Sequence, residues 1–222
     1  MDSTRGAYNA DRAAALSGVP KTTIHYWARH DLLVPSVSPV RVKLWSYGDL
    51  LGLRTIAWLR ATKTDEEGAR IPSSAMLMVR DALEQLRELE LELWIDGEIP
   101  NVGVQRDGKI VLEPDTDPRN LDGQALIDAE VFAVVRPFKL DLSRPGGPDL
   151  VEPRPRVRIV PGKLAGAPHV KDTRVETEAL AALLTRGLDN VRIGRLYPIL
   201  NAEDIHDALD LERQLQPELV AA

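Results

Sequence analysis

Apolar positions in the first sixty residues recur at helical spacing in short bursts, each closed by glycine or proline. Ala13, Ala14 and Leu16 give a small apolar face, which predicts a helix ending at Gly18, a residue suited to a left-handed turn at a helix C-terminus. Pro20 stands near the start of a second helix, where a missing N–H costs little. Over 21–30 the spacing turns Ile24 and Trp27 inward and leaves Lys21, Thr22, Thr23, Tyr26 and Arg29 outward. Val40, Val42 and Leu44 then alternate with Arg41 and Lys43, as in a two-sided strand. Trp27, Leu33, Trp45 and Leu50 are the expected core of this part.

The run 73–94 is helical at first, through Leu77, Leu83 and Leu86, and then alternates with period two through Leu89, Leu91 and Leu93. That change predicts a helix giving way to a strand near Leu89. Strands are expected at 102–105 and 109–112, split by Arg106-Asp107-Gly108, an Asp-Gly signal for a hairpin. Residues 141–156, with Arg144-Pro145-Gly146-Gly147-Pro148, read as a linker. A strand at 156–160 and three helices within 177–213 follow, with apolar faces on Leu180/Leu183/Leu184, Val191/Ile193/Leu196 and Ile205/Leu209/Leu211. Asn201 with Asp204 predicts a capped start for the last helix. The fold class expected is mainly α with short β segments, an α+β chain in three parts: 1–64, 65–156 and 157–222.

Composition changes this picture in one respect. The net charge of −6 argues against nucleic acid, but it is unevenly spread. Residues 1–64 hold 9 Lys/Arg and 4 Asp/Glu, or +5; residues 65–130 hold 6 and 17, or −11. An acidic middle thus masks a basic head, and a phosphate backbone feels the head locally because screening is short-ranged. With no cysteine, disulfides and thiolate metal sites are excluded. No apolar run is long enough to cross a bilayer, and 1–6 has no signal-peptide core, so a cytoplasmic, non-membrane protein is expected.

No catalytic chemistry stands out. His25 and His30 are five residues apart, not the four of a paired helical metal site, and His169 and His206 stand alone. There is no nucleophile elbow, phosphate loop or dinucleotide fingerprint. The acidic cluster Glu84, Glu88, Glu90 and Glu92 reads as a solvated face. Neither an enzyme, a metal nor a cofactor is expected.

Gly18-Val19, Tyr26-Trp27, Leu32-Leu33-Val34-Pro35, the segment 38–43 and Trp45-Ser46-Tyr47-Gly48-Asp49-Leu50 together resemble the MerR-type winged-helix family. The resemblance implies a winged helix-turn-helix over roughly 5–62 that binds double-stranded DNA. Lys21, Thr22, Thr23, Tyr26 and Arg29 would lie on the recognition helix, with Arg41 and Lys43 on the wing. The family's cysteine effector ligands are absent and the following helix is short, which argues against metal sensing. Because one such unit buries too little to specify a genomic site, a homodimer or higher assembly is expected, joined through 73–94 or the C-terminal part.

Gly166-Ala167-Pro168, Thr173-Arg174-Val175, Gly187, Tyr197-Pro198 and Asp204-Ile205 resemble the DUF433 family, with Asp172 where that family usually has glycine. The resemblance implies a helix-turn-helix-like C-terminal domain at 157–222, of a kind common in antitoxins paired with PIN-like ribonuclease toxins. The combination resembles a VapB-type antitoxin that binds its own operator and neutralises a PIN-like toxin. Such nucleases hold divalent metal with carboxylates, which an arginine fork matches, so Arg174, Arg186, Arg192, Arg195 and Arg213 are the candidate toxin contacts. The alternative is a stand-alone MerR-like regulator whose middle region, 95–160, senses a ligand or protein. A third reading is an interaction module without DNA binding.

Overall fold

Asn9 opens the first helix, α1 (Ala10–Ser17), by accepting the Arg12 N–H on its side chain, and Gly18 closes it in the left-handed region at φ 73°. A computed structural model describes residues 6–64, 70–93, 102–105, 108–112, 131–138 and 146–216. After the Gly18 turn comes α2 (Lys21–Arg29), and then α3 (Tyr47–Arg60), whose start carries a full capping box between Ser46 and Asp49. Strands β1 (Lys63–Thr64) and β2 (Arg70–Ile71) form a short antiparallel pair leading to α4 (Met76–Leu93), which packs on α3.

The expected helix-to-strand change at Leu89 does not occur: α4 stays helical to Leu93. Leu and Glu are both strong helix formers, and no partner strand competes among the described residues, so propensity prevails over the alternation. Trp94 and the side chains of Glu90 and Glu92 lie outside the described residues. The hairpin is present as β3 (Val102–Gln105) against β4 (Ile110–Leu112), with Gly108 left-handed at φ 84° where it closes; Arg106 and Asp107 lie outside the described residues. A third strand, β5 (Val131–Ala133), pairs on the other edge of β3.

The C-terminal part begins with β6 (Val157–Arg158), antiparallel to β7 (His169–Val170). Three helices follow: α5 (Thr177–Thr185), α6 (Asn190–Leu196) and α7 (Ala202–Leu215). The cap expected at Asn201 is a complete box with Asp204, and Asp189 caps α6 by accepting the Arg192 N–H. Asp172 adopts φ 59°, the left-handed conformation for which glycine is the ordinary choice. The described chain is therefore mainly helical with small antiparallel strand sets, an α+β arrangement. No helix among the described residues is long and apolar enough to cross a membrane.

One hydrophobic core runs through all of it, from Leu16, Ile24, Trp45, Leu50 and Ile56 through Val79, Val104 and Leu150 to Leu180, Ile193, Ile205 and Leu211. The segment 146–156, expected to be a linker, is packed into that core: Gly147, Pro148, Asp149 and Leu150 are buried. A Cβ on Gly147 would sit 2.4 Å from the Leu16 carbonyl oxygen, so its glycine serves close backbone approach rather than looseness.

Three polar contacts tie the N-terminal part to segments far along the chain. Arg12, on α1, makes a buried two-pronged ion pair with Glu212, on α7, at 2.7 Å for each prong. The Tyr8 hydroxyl donates to the Gly166 carbonyl at 2.8 Å, and the Tyr47 hydroxyl donates to Leu150 at 3.0 Å. Arg54, fully buried in α3, donates to the carbonyls of Leu16, Val134, Arg136 and Pro148, so one guanidinium ties α1, the segment after β5 and residue 148 to α3. Burial pulls its pKa down to about 9, which leaves it cationic at neutral pH.

Candidate nucleic-acid interface and the C-terminal arginines

The basic head is less basic toward solvent than its count of nine suggests. Arg12 and Arg54 are buried, and Arg5 and the Lys63 side chain lie outside the described residues. What remains is Lys21 and Arg29 on α2, Arg41 and Lys43 in the segment 38–44, and Arg60 at the end of α3, where it donates to the Ser74 carbonyl at 2.9 Å. Lys21, Thr22, Tyr26 and Arg29 are exposed along α2, with Thr23 half-buried, as the helical spacing predicts. Ile24 is buried inward and Trp27 is half-buried against the core.

The segment 38–44 departs from the expected strand. It is a tight loop closed by one antiparallel bridge, in which Ser38 and Leu44 exchange N–H···O bonds of 3.1 and 2.9 Å. Val40 and Val42 are exposed, as is Arg41, which takes a positive φ of 33°; Lys43 is half-buried. Two valines without an apolar neighbour to cover them remove the alternation's reason to form a two-sided strand.

Asp49 fixes this loop to α3 from both sides. Its Oδ2 accepts the Ser36 N–H and hydroxyl and the Ser46 N–H, each at 2.8 Å, so residues flanking the loop share one carboxylate. Burial raises the Asp49 pKa, and the bonds from Ser36 and Ser46 oppose that rise. Beyond the loop, Trp45 is bridged to Tyr8 through paired backbone bonds of 2.8 and 2.9 Å.

His25 reveals how close loop and helix lie. Its ring meets Trp45 edge to face, with centroids 5.7 Å apart, between α2 and the exit of the loop. Its pKa is lowered first by burial and then by the positive charges of Lys43, Lys21 and Arg29. Lys21 and Arg29 stand four residues to either side of His25 on α2, and Lys43 of the loop is near enough to act on the same ring. Asp11 offsets part of this field through an exposed bridge to Lys21 at 2.7 Å. Sequence reasoning weighed His25 only as a metal ligand and named Asp49 only within the family-like motif; the Ser-x-x-Asp spacing of a capping box was the available signal for its role. Among the described residues no group of three or more His, Asp or Glu is placed to hold a metal.

Of the C-terminal candidates, Arg192 and Arg195 share α6, Arg186 closes α5, Arg174 sits in the turn after β7 and Arg213 lies in the last turn of α7. All five are exposed, and none makes an ion pair among the described residues. Arg174 does not brace its turn; Thr173 does, donating to Val170 at 2.9 Å and accepting the Val175 N–H at 3.0 Å.

No curated protein and no solved structure matches the chain. Residues 157–211, from β6 into α7, match the family described as "Protein of unknown function (DUF433)".

Proposed function

We propose that this chain is a DNA-binding antitoxin and transcriptional autoregulator of a type II toxin–antitoxin module. The observation that carries the DNA-binding half is the exposed face of α2, with Lys21 and Arg29 four residues either side of His25, beside the loop 38–44 clamped by Asp49. In this reading 1–64 is a MerR-like winged helix. The N-terminal part of α2 enters the major groove with Lys21, Thr22, Thr23, Tyr26 and Arg29, and the loop 38–44 lays Arg41 and Lys43 against the backbone. A two-fold assembly sets two such units one or more helical turns apart. The C-terminal part, a three-helix helix-turn-helix-like domain, holds a PIN-like ribonuclease; the DUF433 match and five exposed arginines, without an ion pair among the described residues, support that half.

The test is fluorescence anisotropy of the full chain on the duplex upstream of its own gene and on unrelated duplexes. Lys21→Ala with Thr22→Ala and Thr23→Ala is expected to narrow the gap between the two duplexes, because base-edge contacts carry the discrimination. If Lys21, Thr22, Thr23, Arg41 and Lys43 are all replaced and binding is unchanged, the head does not read DNA.

A further inference from the structure

Three large aliphatic side chains near α6 have no cover. Val191 is 65% exposed, Leu196 58% and Ile199 71%, while Ile193, between them, is fully buried. At 100° per residue, Val191, Arg195, Arg192 and Leu196 fall in that order on one arc, and Ile193 and Gly194 point the other way. Gly194 lies over Ile205, where an added Cβ would meet Cδ1 at 3.6 Å, which fixes the inner side of the helix on α7. Ile199 follows in the turn after Tyr197-Pro198, and Arg186 stands before the helix. Asp189 caps α6, accepting the Arg192 N–H at 2.8 Å.

We propose that this arc of α6, with Arg192 and Arg195 between Val191 and Leu196, and with Arg186 before the helix and Ile199 after it, is the docking face for an acidic protein surface. Charge complementarity selects the occupant. The arc sets Arg195 and Arg192 between Val191 and Leu196, so a partner gains most by presenting clustered carboxylates flanked by apolar groups, as a carboxylate-lined metal site does. A second copy of the chain is disfavoured, because a two-fold contact through this face would bring the arginines of one copy against those of the other. DNA is disfavoured because uncovered valine, leucine and isoleucine would be pressed against phosphate. The proposal rests on the antitoxin reading and names its surface: α6, rather than Arg174 or Arg213, meets the ribonuclease.

The probe is the protein encoded by the adjacent gene, purified and titrated against the full chain by calorimetry, with operator binding measured on the same preparations. Leu196→Asp with Ile199→Asp, and separately Arg192→Glu with Arg195→Glu, each weaken protein binding roughly a hundredfold while operator affinity stays at the wild-type value. Salt sensitivity of protein binding falls in the arginine variant only. Wild-type affinity in both variants overturns the face and leaves the antitoxin reading standing. No binding by the wild-type chain overturns both. Loss of operator affinity with protein binding intact makes α6 a nucleic-acid surface and overturns the proposal, as does a shift of the variants from dimer to monomer by light scattering without loss of the partner.

Discussion

Replacing Glu212 with leucine is expected to destabilise the whole chain, because it strands a buried cation. The Glu212 carboxylate is buried, accepts both Arg12 prongs at 2.7 Å and also accepts the Thr177 hydroxyl. Burial works to lower the Arg12 pKa, but the hydrogen bond and charge of Glu212, with Glu178 behind them, hold it above its ordinary value. Without Glu212 the guanidinium stays charged and loses its partner. Removing one member of a buried pair costs about 3–5 kcal/mol, and at ~2–4 °C per kcal/mol for a chain of this size the melting midpoint falls by roughly 6–20 °C. Arg12→Met leaves the carboxylate uncompensated and costs a similar amount. The double variant, Arg12→Met with Glu212→Leu, fills the same space with apolar atoms and leaves Thr177 its bond to Pro168 at 3.2 Å, so its cost is about 0–2 kcal/mol. Urea unfolding of all four proteins, with equal m-values, gives the coupling directly. Single-variant costs that simply add in the double variant would refute the buried ion pair as the bond between α1 and α7.

Three further outcomes are expected. Asp49→Ala costs about 1–2 kcal/mol in chemical unfolding through loss of the α3 cap, and it weakens DNA binding beyond that by freeing the loop 38–44; unaltered anisotropy titrations of the folded variant would contradict the clamp. Asp172→Gly changes stability by roughly 0 to +1 kcal/mol, since φ 59° suits glycine, whereas Asp172→Val lowers it; equal effects in thermal unfolding would contradict the left-handed turn. His25 and His169 both titrate lower in the folded chain than the ordinary value of about 6.5, chiefly through burial, so as pH falls the unfolded chain takes up protons first. Their contribution is complete above about pH 6.5, declines as pH drops toward the folded values, and then levels off; unfolding curves of His169→Gln that keep the wild-type slope over this range would sink that assignment.

Local rules were the most legible. Gly18, the Asn201–Asp204 cap and the three C-terminal helices stand where short-range pattern predicts, because turn chemistry and apolar period are written within a few residues. What escaped depends on distant partners. β5 is three residues long and is made a strand by β3, some 30 positions earlier. Gly147 looks like linker composition until Leu16 and Gly18 close on it. Arg12 and Arg54 counted toward a basic surface, yet one answers a carboxylate 200 positions away and the other four backbone carbonyls. For the candidate interface, α2's outward residues followed from spacing, but the role of His25 and the Asp49 clamp required the loop to fold back.

The most direct measurement is the salt dependence of DNA affinity for the full chain and for Arg41→Ala with Lys43→Ala, on the duplex upstream of its gene. Each lost phosphate contact removes about 0.9 from the slope of log K against log salt. Binding through α2 and the loop predicts a slope shallower by about 1.8 in the variant, with affinity reduced alike on specific and unrelated duplexes. A slope equal to that of the wild-type chain would contradict DNA binding through this face.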